Sequence, residues 1–540
     1  MFENNRQKRS FSLHKQAFDV FKLGIRGLSK PGKQTLQTMQ ARPFCVKKYW
    51  FFLILFLWPL VTWAITAIIP PPSAVARDTD VVGVTHFDFL IDDSYLSAAG
   101  DRVLEQQIFD QVFDMIRNAQ SLIVLDMFLF NGWQGPVKEA HRQLAAELTD
   151  TLIAKRSSDP DISIVVITDP INTVYGGQRS EHLDALQAAN ILVVMTDLAR
   201  LQDSNPVWSS LWRWLVRPLG NGTGGLLPNP FGEGRVSLRS YLALFNFKAN
   251  HRKLLIADNA DGVLEALVSS ANPHDGSSAH RNVALRFGGP AVRDLLDSER
   301  SLLEMSGASE ALTLIDNRFD ALDDAQFAMV APPAAGLDIP GIQVISESRI
   351  RDEVLTAIDA TGKNDRIDMA MFYLSHRQIV RALVNAAKRG VTVRVILDVN
   401  LDAFGRRKNG VPNRPVAAEL HAAGVKVRWC KTVGEQCHAK WLHTETHGND
   451  EALGPREHRF FIGSANFTRR NLDDFNLETD VLLLLGAEHP MTARMINFFE
   501  RQWENRESRE YTIDYDIHAD DSLWLRWQYR LMEATGLSTF

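Results

Sequence analysis

The sequence predicts an α/β protein made of two copies of one domain, each an α/β/α sandwich, packed about a pseudo-twofold axis and preceded by one transmembrane helix. Three observations carry this reading. Apolar runs of strand length alternate with amphipathic runs of helix length, which calls for strand-helix-strand units and a largely parallel or mixed sheet covered by helices. The whole order of runs occurs twice, and residues 167–176 align with residues 396–405 without a gap. A histidine and a lysine two positions apart also occur late in each half, at His251 and Lys253 and at His438 and Lys440.

Taken in order, the chain opens on a basic leader. Residues 1–48 hold 11 Lys or Arg against Glu3 and Asp19, a local charge of +9 in a chain of net charge −6, so the remainder carries −15. Residues 49–69 are 21 positions without a charge. At about 1.5 Å per residue they span roughly 31 Å, the thickness of bilayer hydrocarbon. A buried helix of a soluble core and a cleavable signal peptide compete with an anchor, and Ser73-Ala74-Val75-Ala76 has the small residues a cleavage site needs. The leader, however, is far longer than the charged region of a signal peptide, so a retained anchor is expected. The excess of positive charge then keeps residues 1–48 in the cytoplasm and puts the acidic bulk across the membrane, in the periplasm if the cell is bacterial. Residues 70–80, with three consecutive prolines, read as a stiff spacer.

The first domain is expected over residues 81–330, with helices over 106–117, 143–154 and 180–189 and strands over 122–130, 164–169 and 192–195. Residues 331–341, rich in Pro, Ala and Gly, read as the linker. The second domain, over 342–510, repeats the order with helices over 352–360, 377–388 and 417–423 and strands over 367–373, 391–398 and 425–429. Residues 511–540 read as a helical tail.

The chemistry-bearing residues follow one grammar in both halves. Side chains alternate across a strand, so His251 and Lys253 point to one face and can meet one phosphate. After Asp258 comes Asn-Ala-Asp-Gly, a hairpin signal, and the apolar run 263–268 returns to Ser269-Ser270-Ala271-Asn272. From His438 the same order runs through Glu445 and a longer hairpin to Gly463-Ser464-Ala465-Asn466. With 15 His and 59 Lys plus Arg in 540 positions, one such pair arises by chance, whereas two long copies do not.

This duplicated pattern resembles the phospholipase D superfamily, whose motif reads HxK, four residues, Asp, then GSxN. The first copy matches through Asp258 and has Ser269 at the usual glycine; the second keeps the glycine and has Glu445 at the aspartate. Seven residues beyond its histidine, either carboxylate faces away in a regular strand, which suits a supporting role. The resemblance implies that the two halves bring both histidines to one site, where one imidazole attacks phosphorus and the other protonates the leaving alcohol, in two displacements through a phosphohistidine. His251 is then the expected nucleophile and His438 the acid, with the reverse assignment open. Lys253 and Lys440 offset the phosphate charge, and Ser270, Asn272, Ser464 and Asn466 are expected to hydrogen-bond its oxygens. Glu478 either orients a histidine or is an ordinary strand-edge carboxylate.

No cofactor is expected, and no Cys/His cluster has the spacing of metal ligands. Asp169 and Asp398 end matching strands and read as loop caps. Cys430 and Cys437 bracket the approach to His438, and an oxidising compartment permits a bridge between them, free thiols being the alternative. The run 207–216, with Trp208, Trp212 and Trp214, suits a buried helix or a membrane interface. The expected partners are a phospholipid substrate and the membrane, with no obligate protein partner. Three functions compete: phosphatidyl transfer or hydrolysis on phospholipids, a membrane-tethered nuclease, and a non-catalytic lipid-binding scaffold. The acidic bulk disfavours nucleic acid, whose binding comes mainly from neutralised phosphates.

Overall fold

Strands of about six residues, buried on both faces, form two mixed sheets that carry every motif named above. The computed structural model describes residues 79–538 apart from 85, 136–140, 320–339, 404–405 and 448–455, together with scattered positions between residues 50 and 64. The apolar run 49–69 and the linker therefore lie for the most part outside the described residues. Among the described residues no helix is long and apolar enough to cross a membrane.

The first sheet runs in space Arg102–Glu105, Phe87–Leu96, Asn282–Gly288, Leu264–Ser269, Lys253–Asp258, Leu122–Met127, Ser163–Thr168, Leu192–Met195. The second runs Val82–Gly83, Gly341–Ser346, Thr479–Gly486, Glu457–Gly463, Lys440–Thr446, Arg366–Met371, Thr392–Leu397, Lys426–Cys430, Thr512–Asp514. From Phe87–Leu96 and from Gly341–Ser346 onward the two orders match strand for strand. In each, the motif strand is antiparallel to both neighbours, and the last three matched strands are parallel. The duplication read from the sequence is a duplication of topology.

The parallel strands lie where the sequence places them, because their runs are apolar throughout. Phe87–Leu96 has no such signal. It carries Asp88, Asp92, Asp93 and Ser94, and distant partners make it a strand. Asp92 accepts from the amides of Gln107 and Ile108 at the start of the helix Ile108–Asn118, Asp93 pairs with Arg501, and Ser94 donates to Glu435 at 2.8 Å.

One apolar core, including Phe89, Phe287, Trp441, Phe460, Phe498 and Phe499, contains residues of both sheets and of the helices Ala291–Met305 and Pro490–Glu504. Each sheet packs its other face against helices of its own half. The halves are also joined by charge. Arg252, wholly buried, reaches Glu299 at 2.7 Å and Glu347 of the second half at 2.8 Å.

Cys430 and Cys437 form a disulfide with Cα atoms 6.3 Å apart. It ties the end of a strand to the residue before His438. In protein purified without reductant, both thiols are expected to resist alkylation after denaturation until a reductant is added. Immediate labelling of the denatured protein would show the bridge absent.

Candidate active site

Both histidines are placed by backbone pairing across the halves. Residues Ala249 and Asn250 pair in parallel with Asn476 and Leu477, and the amide of His251 donates to the carbonyl of Leu477 at 2.9 Å. In the mirror arrangement Arg281 pairs with Cys437, and the amide of His438 donates to the carbonyl of Arg281 at 2.9 Å. Asp169 and Asp398 pin the approaches. Asp169 caps its loop through the amide of Ile171 and accepts from the amide of Asn250 at 2.7 Å; Asp398 accepts from the amides of Asn400 at 2.7 Å and Cys437 at 2.9 Å.

The side chains repeat this crosswise scheme. His251 Nδ1 lies 3.0 Å from Glu478 Oε2, and His438 Nδ1 lies 3.0 Å from Asn282 Oδ1, so each histidine is oriented by the opposite half. A phenylalanine packs on each imidazole, Phe128 at 4.7 Å from His251 and Phe372 at 4.9 Å from His438 between ring centroids. The lysines curl over the same rings. Lys253 Nζ sits 5.1 Å from the Phe128 centroid and donates to the His251 carbonyl at 2.6 Å, while Lys440 Nζ sits 5.2 Å from Phe372 and donates to the His438 carbonyl at 2.7 Å.

Burial governs the electrostatics. It pushes both imidazoles well below their ordinary basicity, and Lys253 and Lys440 add to the effect at each of them. Burial likewise lowers Lys253 to about 7 and Lys440 well below its usual range. Glu478 and Asp480 are raised by burial to about 7, with the two lysines opposing the rise at Glu478. An anion entering this site meets two ammonium groups held out of water, and the imidazole Nε2 atoms face away from the Nδ1 atoms engaged by Glu478 and Asn282. The arrangement can bind a phosphate and exchange a proton beside it.

Of the four residues expected to contact phosphate, the two serines are engaged with other groups. The hydroxyl of Ser270 donates to Asn282 at 3.0 Å and accepts from the amide of Val283; that of Ser464 donates to Glu478 at 2.5 Å and accepts from the amide of Thr479. Each hydroxyl holds one of the groups that orient the histidines. Asn272 accepts from the amide of Leu129 at 3.3 Å, and the buried Oδ1 of Asn466 has no hydrogen-bond partner. Asp258 accepts from the amides of Gln120, Ser121 and Leu122 at the start of the neighbouring strand Leu122–Met127, and Glu445 pairs with Arg456 at 2.8 Å and Arg366 at 3.5 Å. Glu478 is an orienting group, not an idle edge carboxylate: Ser464 and Asn471 hold it against His251.

Sequence reasoning missed Asn282, Phe128 and Phe372. The signal for Asn282 was present: His280-Arg281-Asn282 follows Ser270 as Asn476-Leu477-Glu478 follows Ser464, offset by two residues. His280 Nδ1 accepts from the amide of Gln436 as Asn476 accepts from the amide of Ala249.

Residues 354–503 match the family model described as "Cardiolipin synthase, PLD-like domain", a stretch that holds His438, Lys440, Ser464, Asn466 and Glu478. That stretch is thus similar to a phospholipase D-like domain, and the same motif residues are repeated on the duplicated sheet of the first half. Among solved structures it is similar to phosphatidylserine synthase of Haemophilus influenzae, at 11% identity over 84% of this chain and 94% of that one, TM-score 0.49. It is also similar to a phospholipase D family member, Nuc, from Salmonella typhimurium, at 21% identity over 32% and 97%, TM-score 0.24. The yeast tyrosyl-DNA phosphodiesterase follows at 10% identity over 74% and 90%, TM-score 0.38. No curated protein matches the sequence.

Proposed function

We propose that this protein is a membrane-anchored enzyme of phospholipid metabolism, which transfers a phosphatidyl group through a phosphohistidine to a lipid or glycerol hydroxyl in the manner of a cardiolipin synthase. The observation that carries the reading is the paired site itself: two histidines oriented across the halves, two buried lysines beside them. A phosphodiester repels nucleophiles, and the lysines offset that charge as phosphorus is attacked. One neutral imidazole attacks, and the other, protonated, gives its proton to the departing alcohol; the acceptor hydroxyl then reverses the sequence.

Two features favour a lipid. The charge-free run 49–69 behind a basic leader reads as an anchor that holds the site near the bilayer, where lipid hydroxyls are concentrated. Exposed apolar side chains also gather on two neighbouring elements. Trp214 and Leu215 project from the helical insert, and Leu523, Trp524, Trp527 and Leu531 from the helix Leu523–Thr535. That helix ends at Gly536, where a Cβ would fall 1.9 Å from the carbonyl oxygen of Ser204 beside the insert. It is tied to the loop after the second SxN motif, since Glu533 accepts from the amide of Arg469 at 3.0 Å. Tryptophans flanked by Arg526 and Arg530 suit a membrane interface.

Purified enzyme incubated with phosphatidylglycerol vesicles is expected to yield cardiolipin, to divert product to added glycerol, and to be indifferent to chelators. Phosphatidic acid as the sole product would favour hydrolysis. Cleavage of a single-stranded oligonucleotide without lipid turnover would favour the nuclease, and chelator inhibition reversed by a divalent metal would overturn the metal-free scheme.

The same reading places the catalytic halves outside the cytoplasm. An alkaline phosphatase fused after Phe540 is expected to be active and a cytoplasm-only fluorescent reporter dark. The opposite pair of results would invert the topology.

A further inference from the structure

The halves match strand for strand, so a built element found in only one of them serves something that the duplicated chemistry does not require. Between Leu192–Met195 and the motif strand Lys253–Asp258 the first half carries residues 196–252, where the second half, between Lys426–Cys430 and Lys440–Thr446, has only residues 431–439. Within this insert the helix Pro206–Leu211 runs on into a π-helix, Trp212–Val216, a rare form often found at functional sites. The π-helix closes one side of a cavity of about 280 Å³, near the lower end of the range for ligand pockets. Leu198, Trp212, Val216 and Ala243 give the cavity apolar walls, and Tyr175 lines it from the loop after Asp169. The chamber is braced, because Asn221 Nδ2 donates to the Tyr175 carbonyl and to Ser240 Oγ, each at 2.9 Å, and so ties that loop to the helix Leu238–Leu244.

Four cations line the cavity, and they are of two kinds. Arg213 and Lys248 are both paired with the buried Asp203, at 2.8 and 2.6 Å. Arg217 and Arg239 are exposed, and among the described residues neither has an ion pair or a hydrogen-bond partner for its side chain. The one carboxylate in the lining, Asp197, is occupied: it accepts from the amide of Ala199 at 3.0 Å and lies 4.0 Å from Arg200. An apolar chamber with two uncompensated guanidinium groups at its rim fits a molecule that is apolar at one end and anionic at the other. Such a ligand leaves its charge at the rim, in reach of water, and buries only its chain.

We propose that this cavity is a binding site, separate from the paired histidines, for an anionic single-chain amphiphile, with the acyl chain against Trp212 and Val216 and the phosphate or carboxylate between Arg217 and Arg239. The planar donor fork of a guanidinium pairs with either oxyanion. The site borders the chemistry without belonging to it. Pro170 follows Asp169, which holds the amide of Asn250, and Thr196 Oγ1 accepts from Asn250 Nδ2 at 3.0 Å, so two lining residues flank the approach to His251. No lining residue orients either histidine.

The test uses the full-length protein in phosphatidylcholine nanodiscs, with lysophosphatidic acid that carries a diazirine at the end of its chain. After irradiation, saturable label is expected on the peptides that contain Leu198 or Trp212–Val216. Replacing both rim arginines, Arg217→Ala with Arg239→Ala, is expected to weaken labelling by about tenfold or more, since hydrogen bonds between charged groups are lost. Ala243→Phe fills the chamber and keeps the rim charges, and it is expected to abolish the label; should it fail a thermal-melting control, the arginine variant, altered only at exposed side chains, decides alone. Label confined to the helix Leu523–Thr535, or label in the insert that no folded variant weakens, overturns the proposal. Competition with unlabelled lysophosphatidic acid and with oleate separates a phosphate from a carboxylate head, the stronger competitor naming the group. Monooleoylglycerol, a similar chain without charge, is expected to compete poorly, and displacement equal to that by the anions overturns the anionic class. Cardiolipin formation is no part of this readout, so the result is independent of what the paired site transfers.

Discussion

His251→Asn and His438→Asn are each expected to lower turnover of phosphatidylglycerol by about 10⁴-fold or more, the loss seen when either member of a nucleophile and acid-base unit is removed. Asparagine keeps a polar group near the position of Nδ1, so the buried Glu478 or Asn282 retains a partner and the cost falls on chemistry rather than folding. The two losses should not add in the double variant, because in the proposed mechanism both histidines serve one displacement. Initial rates on vesicles, with thermal melting as the control for folding, measure this. Either single variant within tenfold of wild type would show that its histidine is not part of the reaction.

How much of this was legible in the sequence depended on where each signal lay. Parallel strands such as Ser163–Thr168 and Thr392–Leu397 were visible because a strand buried on both faces is apolar throughout. The strand Phe87–Leu96 was not, because its Asp92 and Asp93 are satisfied by Gln107, Ile108 and Arg501. Strand parity put His251 and Lys253 on one face, and both lie against Phe128, while Asp258 accepts from the amide of Leu122 on the neighbouring strand. Parity says nothing of which groups a hydroxyl meets, so the contacts of Ser270 with Asn282 and of Ser464 with Glu478 were not foreseen. The crosswise orientation of the histidines was likewise out of reach, since pairing of Ala249 with Asn476 and of Arg281 with Cys437 is a property of two halves in contact. The aligned triplets His280-Arg281-Asn282 and Asn476-Leu477-Glu478 held the clue, obscured by two residues of offset.

Lys253→Met and Lys440→Met are each expected to lower kcat/KM by about 10²-fold to 10³-fold, the range for removing one group that stabilises charge in a transition state. Methionine matches the length and apolar stem that cover Phe128 or Phe372, so the packing is largely kept while the ammonium is lost. The pH dependence carries the sharper test. A lysine is charged below its pKa, and burial brings Lys253 down to about 7. In the empty site its charge is therefore present on the acid side and is lost as pH rises through that value, so kcat/KM, which reports the free enzyme, should fall above about pH 7. A bound phosphodiester places a negative charge beside both ammonium groups and raises their pKa values, so the corresponding fall in kcat should lie at higher pH. Lys253→Met should remove the limb in kcat/KM that begins near 7. An unshifted limb in that variant would assign the titration to another group, and a loss under threefold in both variants would mean that neither lysine meets the phosphate.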